Sequence, residues 1–194
     1  MSAAERARAA VEAARSELVG LSHFVHSHPE LGYEEFESSA AVAAVAESAG
    51  FTVERRAAGL ETAWRATAGS GDLHLALLAE FDALPDVGHA CGHNIIAASS
   101  VGAAIGLAAV ADELGVTVEL FGTPSEEGGG GKIDLINAGY FSGVHAAMMI
   151  HPWPVDRLSA QCLAVDHFDV TFTGREAHAS AAPFEGINAL DALT

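Results

Sequence analysis

Residues 73–94 have the sequence LHLALLAEFDALPDVGHACGHN, in which an apolar run gives way to two carboxylates and then to a cluster of His and Cys. The nearly continuous apolar run over 73–78 is typical of a parallel strand that is covered on both faces. Glu80 and Asp82 follow at the end of that predicted strand. Small and apolar residues over 95–111 then predict a helix. The stretch therefore indicates a strand, a polar loop and a helix, the repeating unit of an α/β fold.

Cys91 and His93 lie at the entrance of the predicted helix, for which Asn94 is the expected N-cap. Backbone N–H groups and the helix dipole at such an entrance favour a thiolate over a thiol. The thiolate is the form of cysteine that binds metal ions. This loop is therefore predicted to be the first half of a metal site.

The same arrangement recurs twice further along the chain. The apolar segment 116–121 predicts a second strand, and Glu126 and Glu127 follow its end. The segment 145–150 predicts a third buried strand, which His151 follows directly. In an α/β sheet the functional site lies outside the carboxyl ends of the strands. Because three consecutive strands each end in carboxylates or histidine, we expect these side chains to converge at one edge of the sheet.

The remaining patterns complete the predicted architecture. Further helices are predicted at 3–26, 34–48 and 132–138, and short strands toward a sheet edge at 51–55 and 61–68. We expect residues 1–164 to form an α/β domain with a mixed, mostly parallel sheet sandwiched by helices. From 165 to 194 the pattern indicates the start of a second, α+β domain. Its first strand is predicted from the alternation of Phe168, Val170 and Phe172, and a helix begins near Ile187.

Composition excludes several classes of protein. Half of the 194 residues are hydrophobic, so a sizeable core is available. The net charge is −17 and Lys132 is the single lysine, which argues against binding to nucleic acid or an anionic membrane. Cys91 and Cys162 make no disulfide framework and fit a reducing compartment, so we expect a cytoplasmic protein. The charged, amphipathic segment 1–21 is expected to be neither a signal peptide nor a membrane-spanning helix.

The donor types at the strand ends indicate the metal chemistry. Cys, His and Glu together suit zinc or another first-row divalent ion better than calcium or magnesium. Glu126 and Glu127 are adjacent and cannot both reach one ion easily, so one should bind metal while its neighbour acts as general base toward the activated water. Asp82 is expected to accept the free ring N–H of a metal-binding histidine. The alternative is that Asp82 only forms the turn before Pro85.

Three other features have competing interpretations. The glycine run 128–131 lacks the spacing of a phosphate-binding loop and follows two carboxylates, so we expect it to allow close backbone approach instead. Cys91 and His93 could form a thiol nucleophile and base, although nearby carboxylates would raise the thiol pKa. Three histidines near the first helix are expected to pack, cap or line a cleft rather than bind metal; these are His23, His26 and His28.

Five segments resemble the co-catalytic metal amidohydrolases, a peptidase family that includes aminoacylases, carboxypeptidase G and auxin-conjugate hydrolases. The segments are AEFDALP, GHACGHN, GTPSEEGGGGK, MMIHP and GREAHASAAPFEGINAL. The HACGH cluster is similar to the branch of the family that has cysteine in the metal site. Asn94 and the HPELGYEE segment are similar to its dipeptidase and aminobenzoyl-glutamate-hydrolase members.

The resemblance implies a centre of two divalent ions, zinc or manganese with cobalt or nickel as alternatives. It implies these ligands: Cys91, His93, Glu127 and His151. Glu126 is then the general base, and Asp82 supports a ligand. His178 is implied to stabilise the oxyanion in the active site of a partner subunit, in a homodimer formed through the second, lid domain. Many members have a metal-binding histidine where this chain has Glu80, so Glu80 is a possible ligand.

The implied activity is metal-dependent hydrolysis of an amide bond in N-acyl amino acids or dipeptides, with Glu126 taking a proton from the activated water. The alternatives are a thiol hydrolase using Cys91 and His93, or an inactive metal-binding or dimerisation module. The helix predicted from Ile187 is still apolar on one side at residue 194, and family members continue further. We therefore expect these residues alone to form an incomplete enzyme, with an open sheet edge and an apolar surface around Phe168.

Overall fold

The computed structural model describes residues 1–158, 164–165 and 168–193. The chain divides into two units, residues 1–156 and residues 157–194. In the first unit helices and strands alternate around a mixed sheet, which confirms the predicted α/β class. No helix in the described ranges combines the length and the apolar character needed to cross a membrane.

The first unit contains the following elements. Its helices are α1 (Ala3–Ala13), α2 (Arg15–Ser27), α3 (Phe36–Ser48), α4 (His93–Ala108), α5 (Ala111–Leu114) and α6 (Gly131–Asn137). Its strands are β1 (Thr52–Arg55), β2 (Trp64–Gly69), β3 (Leu73–Glu80), β4 (Val116–Thr123) and β5 (Ala146–Met148). The strand order is β1-β2-β4-β3-β5; β3 lies parallel to β4 and β5, and β2 runs antiparallel to β1 and β4.

The core explains why β3 and β4 are central. Every residue of β4 is buried, and Val118 and Leu120 pack in one apolar cluster with Ala97 and Val101 of α4. Apolar side chains at helical spacing on α4 and at alternate positions on β4 bury the same interface. Glu80 at the end of β3 pairs in register with Thr123 at the end of β4. The two loops that follow these strands therefore begin at the same edge of the sheet.

Three details of the first unit differ from the sequence predictions. The single helix predicted over 3–26 is divided at Ala14 into α1 and α2. The N-cap of α4 is Gly92, with φ of 80°, because the helix begins at His93, earlier than predicted; Asn94 lies inside its first turn. The predicted third buried strand, β5, is exposed, because within the described residues it has a neighbour on one side only.

The second unit has little regular structure in its described part. It contains short 3-10 turns at Pro183–Glu185 and Ala189–Ala192, the latter in place of the predicted longer helix. Phe168, Val170 and Phe172 are exposed, as expected, but the strand predicted there is wrong for the described residues. A lone alternating segment has no neighbouring strand to hydrogen-bond, which leaves it unpaired. Cys162 and His167, the latter next to the predicted strand, are among the residues of this region that lie outside the described ranges.

Candidate metal centre

His93 is the centre of the candidate site. It is the first residue of α4 and is fully buried. Its Nδ1 lies 2.9 Å from Oδ1 of Asp82, in the loop that follows β3. A carboxylate at Nδ1 places the proton of a neutral ring on that nitrogen and leaves the lone pair on Nε2. Asp82 therefore makes the predicted contact with a histidine ring. It does so although it also lies close to the turn at Pro85, the alternative role that the sequence left open.

Three carboxylates surround Nε2 of His93. The Glu80 Oε2 atom lies 3.4 Å away, Glu127 Oε1 lies 3.6 Å away and Glu126 Oε2 lies 3.7 Å away. Within the described ranges, Nε2 of His93, Oε2 of Glu80 and Oε1 of Glu127 have no hydrogen-bond partner. Buried atoms that carry only lone pairs repel one another unless a cation lies between them. This group of atoms therefore fits a divalent metal ion.

His93 also belongs to a second group of possible ligands. The ligand atoms of Cys91, His93 and His151 all lie within 4.8 Å of one another, as do those of Glu80, His93 and Glu126. The ring centroids of His93 and His151 are 6.4 Å apart. Sulfur, nitrogen and oxygen donors in this combination suit zinc and its neighbours in the first transition row. The ends of β3, β4 and β5 thus bring the predicted ligands together, while their individual roles stay predictions.

The two adjacent glutamates have different environments. The Glu127 side chain is 22% exposed and that of Glu126 is 40% exposed. The Glu127 N–H donates to Oδ2 of Asp82 at 2.9 Å, and the Glu127 carboxylate is the main cause of the raised pKa of the Cys91 thiol. Glu127 is therefore tied to the buried side of the centre, and Glu126 lies on the open side.

The carboxylates also determine how Cys91 ionises. The hydrogen bond to Glu127, together with burial and the charges of Glu126 and Glu80, raises the pKa of the Cys91 thiol to about 12. The expectation that the helix entrance favours a thiolate is therefore wrong in the absence of metal, since several full negative charges outweigh the partial charge of a helix end. Only a bound cation would make the thiolate the stable form.

Asp82 and His93 shift each other's protonation in opposite directions. Burial by itself would raise the pKa of Asp82, but hydrogen bonds from His93 and from the Glu127 N–H outweigh it and lower that pKa. Burial would lower the pKa of His93, but the hydrogen bond to Asp82 and the charges of Glu80 and Glu127 outweigh it and raise that pKa. Each group therefore favours the charged form of the other, because Asp82 stabilises the protonated ring and His93 stabilises the carboxylate.

Lys132 is a site residue that the sequence patterns did not single out as functional. Its Nζ forms an ion pair with Oε1 of Glu80, which is nearly fully buried. Lys132 lies in the first turn of α6, directly after the glycine run 128–131. The signal that could have identified it is its position, because the one lysine of a strongly acidic chain follows Glu126 and Glu127 closely.

A cleft opens beside the candidate ligands. Its volume is about 470 Å³, and its lining includes His26, His89, Cys91, Ile95 and Trp153. His89 is almost fully buried, and neither ring nitrogen has a hydrogen-bond partner in the described part of the chain. Burial lowers the pKa of His89. Of the three histidines expected to pack or line a cleft, His26 lines this one and His28 stacks on Phe24 with ring centroids 4.1 Å apart.

His178 belongs to the second unit and is exposed there. Its Nδ1 accepts a hydrogen bond from the Ala181 N–H at 3.1 Å, so the ring caps a local turn. This contact is what a surface turn residue would make. The role in a partner subunit that the family resemblance implies stays a prediction.

The chain belongs to peptidase family M20/M25/M40, whose model matches residues 76–186. Over 202 residues it is 41% identical to the Xaa-Arg dipeptidase of Mus musculus, covering 96% of this chain and 47% of that protein. It is 35% identical over 205 residues to a p-aminobenzoyl-glutamate hydrolase polypeptide of Escherichia coli, covering 95% of this chain and 43% of that one. The family resemblance predicted from the sequence is confirmed.

The fold is likewise similar to that of solved members of the family. The Bacillus subtilis YXEP protein, a dinuclear metal-binding peptidase, matches with a TM-score of 0.63 and 29% identity. The match covers 70% of this chain and 42% of that chain. The chain therefore spans less than half the length of each of these relatives.

Proposed function

We propose that this chain forms the metal-binding part of an enzyme that hydrolyses the amide bond of N-acyl amino acids or dipeptides. The observation that carries the proposal is the set of buried lone-pair atoms on His93, Glu80 and Glu127, which face one another at 3.4 to 3.6 Å around Nε2 of His93. Family membership supports it, and so do the activities in the names of the relatives, which include a dipeptidase and an amide hydrolase.

We propose two divalent ions, zinc or manganese, as the cofactors. The residues that would hold them are Cys91, His93, Glu127 and His151, with Glu80 as a possible further ligand. When bound, such ions acidify a water molecule and polarise the scissile carbonyl group. The dinuclear metal binding of the Bacillus relative supports the number of ions.

Glu126 is the proposed general base. Burial raises the pKa of its carboxyl group, the charge of Glu80 adds to the shift, and Lys132 opposes it. A carboxylate with a raised pKa accepts a proton more readily near neutral pH. Glu126 would take the proton of the attacking water and deliver it to the leaving amine, while Asp82 keeps His93 in position. His178 would donate to the developing oxyanion, from a partner subunit in a cytoplasmic homodimer.

The cleft beside the ligands is the proposed place for one side chain of the substrate. Ile95 and Trp153 give it apolar surface, while His26 and His89 supply polar groups. The lining is therefore mixed, and a cleft beside a catalytic centre that offers both kinds of contact can orient a polar substrate. Dipeptides with a C-terminal basic residue and N-acyl amino acids are therefore the first substrates to test, the former because of the mouse relative.

The alternative thiol hydrolase is disfavoured by the geometry. A thiol nucleophile needs a lowered pKa or a neighbouring base that removes its proton. The pKa of Cys91 is instead raised to about 12, and its hydrogen bond goes to the Glu127 carboxylate. Both imidazole nitrogens of His93 face carboxylates, at Asp82 on one side and at Glu80 and Glu127 on the other.

The test is a screen of dipeptides and N-acyl amino acids with the protein purified from its own cells, measuring release of free amine. We expect turnover that requires added zinc or manganese, stops with a chelator and returns when metal is restored. Turnover that persists in chelator and is abolished by thiol alkylation would overturn the proposal in favour of the thiol hydrolase.

A further inference from the structure

The loop of residues 29–35, with the sequence PELGYEE, contains a buried carboxylate that the proposed mechanism does not use. Glu35 is fully buried. Ionisable side chains are rarely buried to this extent unless specific partners satisfy them. Burial raises the pKa of Glu35, and hydrogen bonds to the carboxylate oppose that shift. The partners of Glu35 therefore indicate what the residue does.

Each oxygen of the Glu35 carboxylate has one partner from a different part of the chain. Oε2 accepts a hydrogen bond from the Thr62 hydroxyl at 2.8 Å. Oε1 accepts one from the backbone N–H of Ser125, also at 2.8 Å. Ser125 directly precedes Glu126 and Glu127. Glu35 is thus joined to the beginning of the turn that carries the two glutamates of the metal centre.

Ser125 has a conformation that needs such support. Its φ of 54° is in the left-handed region, which residues other than glycine rarely adopt without constraint. Its carbonyl oxygen accepts from the N–H of Gly130 at 2.7 Å, and its hydroxyl accepts from the N–H of Gly129 at 2.9 Å. The bonds from Gly129 and Gly130 hold the carbonyl and hydroxyl groups of Ser125, and Glu35 holds its backbone N–H. The backbone direction from Ser125 into Glu126 therefore depends on both sets of bonds.

The loop 29–35 packs directly on this turn. A Cβ atom at Gly32 would overlap the hydroxyl of Ser125, so only glycine allows this approach. The hydroxyl of Tyr33 donates to Asp134 at 2.9 Å, in the helix α6 that follows the turn of residues 125–130. The loop therefore contacts this region of the chain at several residues rather than through the Glu35 carboxylate alone.

The same loop also holds the second loop of the centre. The carbonyl oxygen of Glu30 accepts from the N–H of Ala83 at 2.8 Å, next to Asp82. The Glu30 carboxylate accepts from the N–H groups of Glu37 and Ser38 at the start of α3. One loop is thereby anchored to a helix of the core and joined to both strand-end loops that supply site residues.

We propose that Glu35 is a positioning residue for the metal centre, which sets the orientation of Glu126 and Glu127 by holding the N–H of Ser125. This inference rests on the proposed function, in which those two glutamates serve the metal centre. A purely structural role is the alternative, in which Glu35 contributes to the stability of the whole first unit and to nothing else.

The first measurement needs no metal and no activity. Hydrogen exchange, followed by mass spectrometry, is compared for the wild-type chain, Glu35→Ala and the matched control Glu34→Ala, which changes the exposed neighbour. We expect exchange in peptides from 123–131 to rise on the order of tenfold in Glu35→Ala and to stay unchanged in the control. Peptides from β3 should keep their protection. A uniform rise across the sheet, or no rise at 123–131, would overturn the proposal.

The second measurement is a cobalt titration, which reports the thiolate-to-cobalt charge-transfer band. We expect Glu35→Ala to lower the cobalt affinity on the order of tenfold and Glu34→Ala to leave it unchanged. Glu35→Gln should restore the affinity, because its amide oxygen can accept from Ser125 while its amide nitrogen donates to the Thr62 hydroxyl. An unchanged affinity in Glu35→Ala would overturn the proposal, and so would a loss that Glu35→Gln does not repair.

The two measurements separate this proposal from the proposed function. If the wild-type chain gives no cobalt spectrum, the proposed function fails, and the exchange of 123–131 still decides the role of Glu35. If Glu35→Ala does not fold, Glu35→Asp takes its place, because a side chain one methylene shorter cannot reach Thr62 and Ser125 together. Faster hydrogen exchange confined to peptides from 123–131 in Glu35→Asp then supports the proposal. Exchange at the wild-type rate in those peptides contradicts it.

Discussion

The candidate metal centre has a buried inner half and a more exposed outer half. The inner half consists of Glu80, Asp82 and His93, which are at most 2% exposed. The outer half consists of Cys91, Glu126 and His151, which are partly or largely exposed. Hydrogen bonds and an ion pair with Lys132 hold the inner half in place. In the outer half, the one hydrogen-bond contact of the His151 ring within the described residues is with the carbonyl oxygen of Pro152. The chain itself therefore preorganises the inner half, whereas a bound metal ion would be needed to order the outer half.

This difference has an energetic reason. Three ionisable groups buried together cost desolvation energy that their mutual contacts repay only if most of their atoms are satisfied. The atoms left without partners among the described residues, Nε2 of His93 and Oε2 of Glu80, lie on the side that faces the outer half. A cation at that boundary would satisfy them and draw the outer ligands inward.

The neighbouring glutamates lie on either side of this boundary and give the largest expected effect. In the protein that shows turnover, Glu126→Gln should keep its metal and lose turnover by about 10²–10⁴-fold, the usual contribution of a general base. Glu127→Gln should weaken metal binding as well, because it replaces a carboxylate whose Oε1 lies 3.6 Å from Nε2 of His93, among the candidate ligand atoms. Metal content after dialysis, measured beside turnover, distinguishes the two variants. Equal metal loss in both would show that the roles are assigned wrongly.

Removing His93 should destroy both candidate ligand groups together. We expect His93→Ala to lower zinc affinity by about 100-fold or more, since a ligand shared by both groups carries a large part of the binding free energy. The exposed His23→Ala on α2 is the matched control and should bind zinc like the wild type. Competition with a chromophoric chelator gives the affinities. Similar affinities for the two variants would mean that His93 is only a core residue.

Asp82→Asn tests the support of the inner half with a smaller effect. The amide cannot stabilise the His93 ring as a carboxylate does, so zinc affinity should fall by about 10–100-fold. Asp86→Asn changes an exposed residue of the same loop and should have no effect. The comparison uses the same chelator competition. If Asp86→Asn and Asp82→Asn weaken zinc binding equally, the Asp82 contact contributes nothing specific.

The smallest expected effect concerns the stability of the metal-free chain at different pH. The folded-state pKa of His93 is raised, so its contribution to stability is fully present below the unfolded value of about 6.5. That contribution is lost as the pH rises through the higher folded value. Urea unfolding in the presence of a chelator should therefore show a lower free energy of unfolding above this range. The decrease should be smaller in Asp82→Asn, and an identical pH dependence in that variant would contradict the pairing.

The inner half could be predicted from the sequence because its residues lie close together in the chain. The end of the apolar run predicts the position of Glu80 and Asp82, and the following helix predicts that of His93. The contacts that the sequence patterns missed join residues that are far apart in the chain. Lys132 and Glu80 are separated by 52 positions, and Ser125 and Glu35 by 90. A local pattern does not contain such pairs.

The same reason explains the errors about protonation and strands. The helix entrance is a local feature, so it suggested a thiolate at Cys91, while the carboxylate that raises its pKa comes from the loop after another strand. The apolar composition of β5 suggested burial, but burial depends on which elements cover a strand. Alternation at Phe168, Val170 and Phe172 likewise indicates a strand only where a neighbour is present to pair with it.

X-ray absorption at the zinc edge tests the metal centre most directly. The wild-type chain, dialysed against zinc, is compared with Cys91→Ser and with Cys162→Ser as the matched cysteine control. We predict bound zinc with one sulfur ligand at about 2.3 Å and nitrogen or oxygen ligands at about 2.0–2.2 Å. The sulfur signal should disappear in Cys91→Ser and remain in Cys162→Ser. A wild-type chain that retains no zinc, or a spectrum without a sulfur ligand, would contradict a metal centre built on Cys91 and His93.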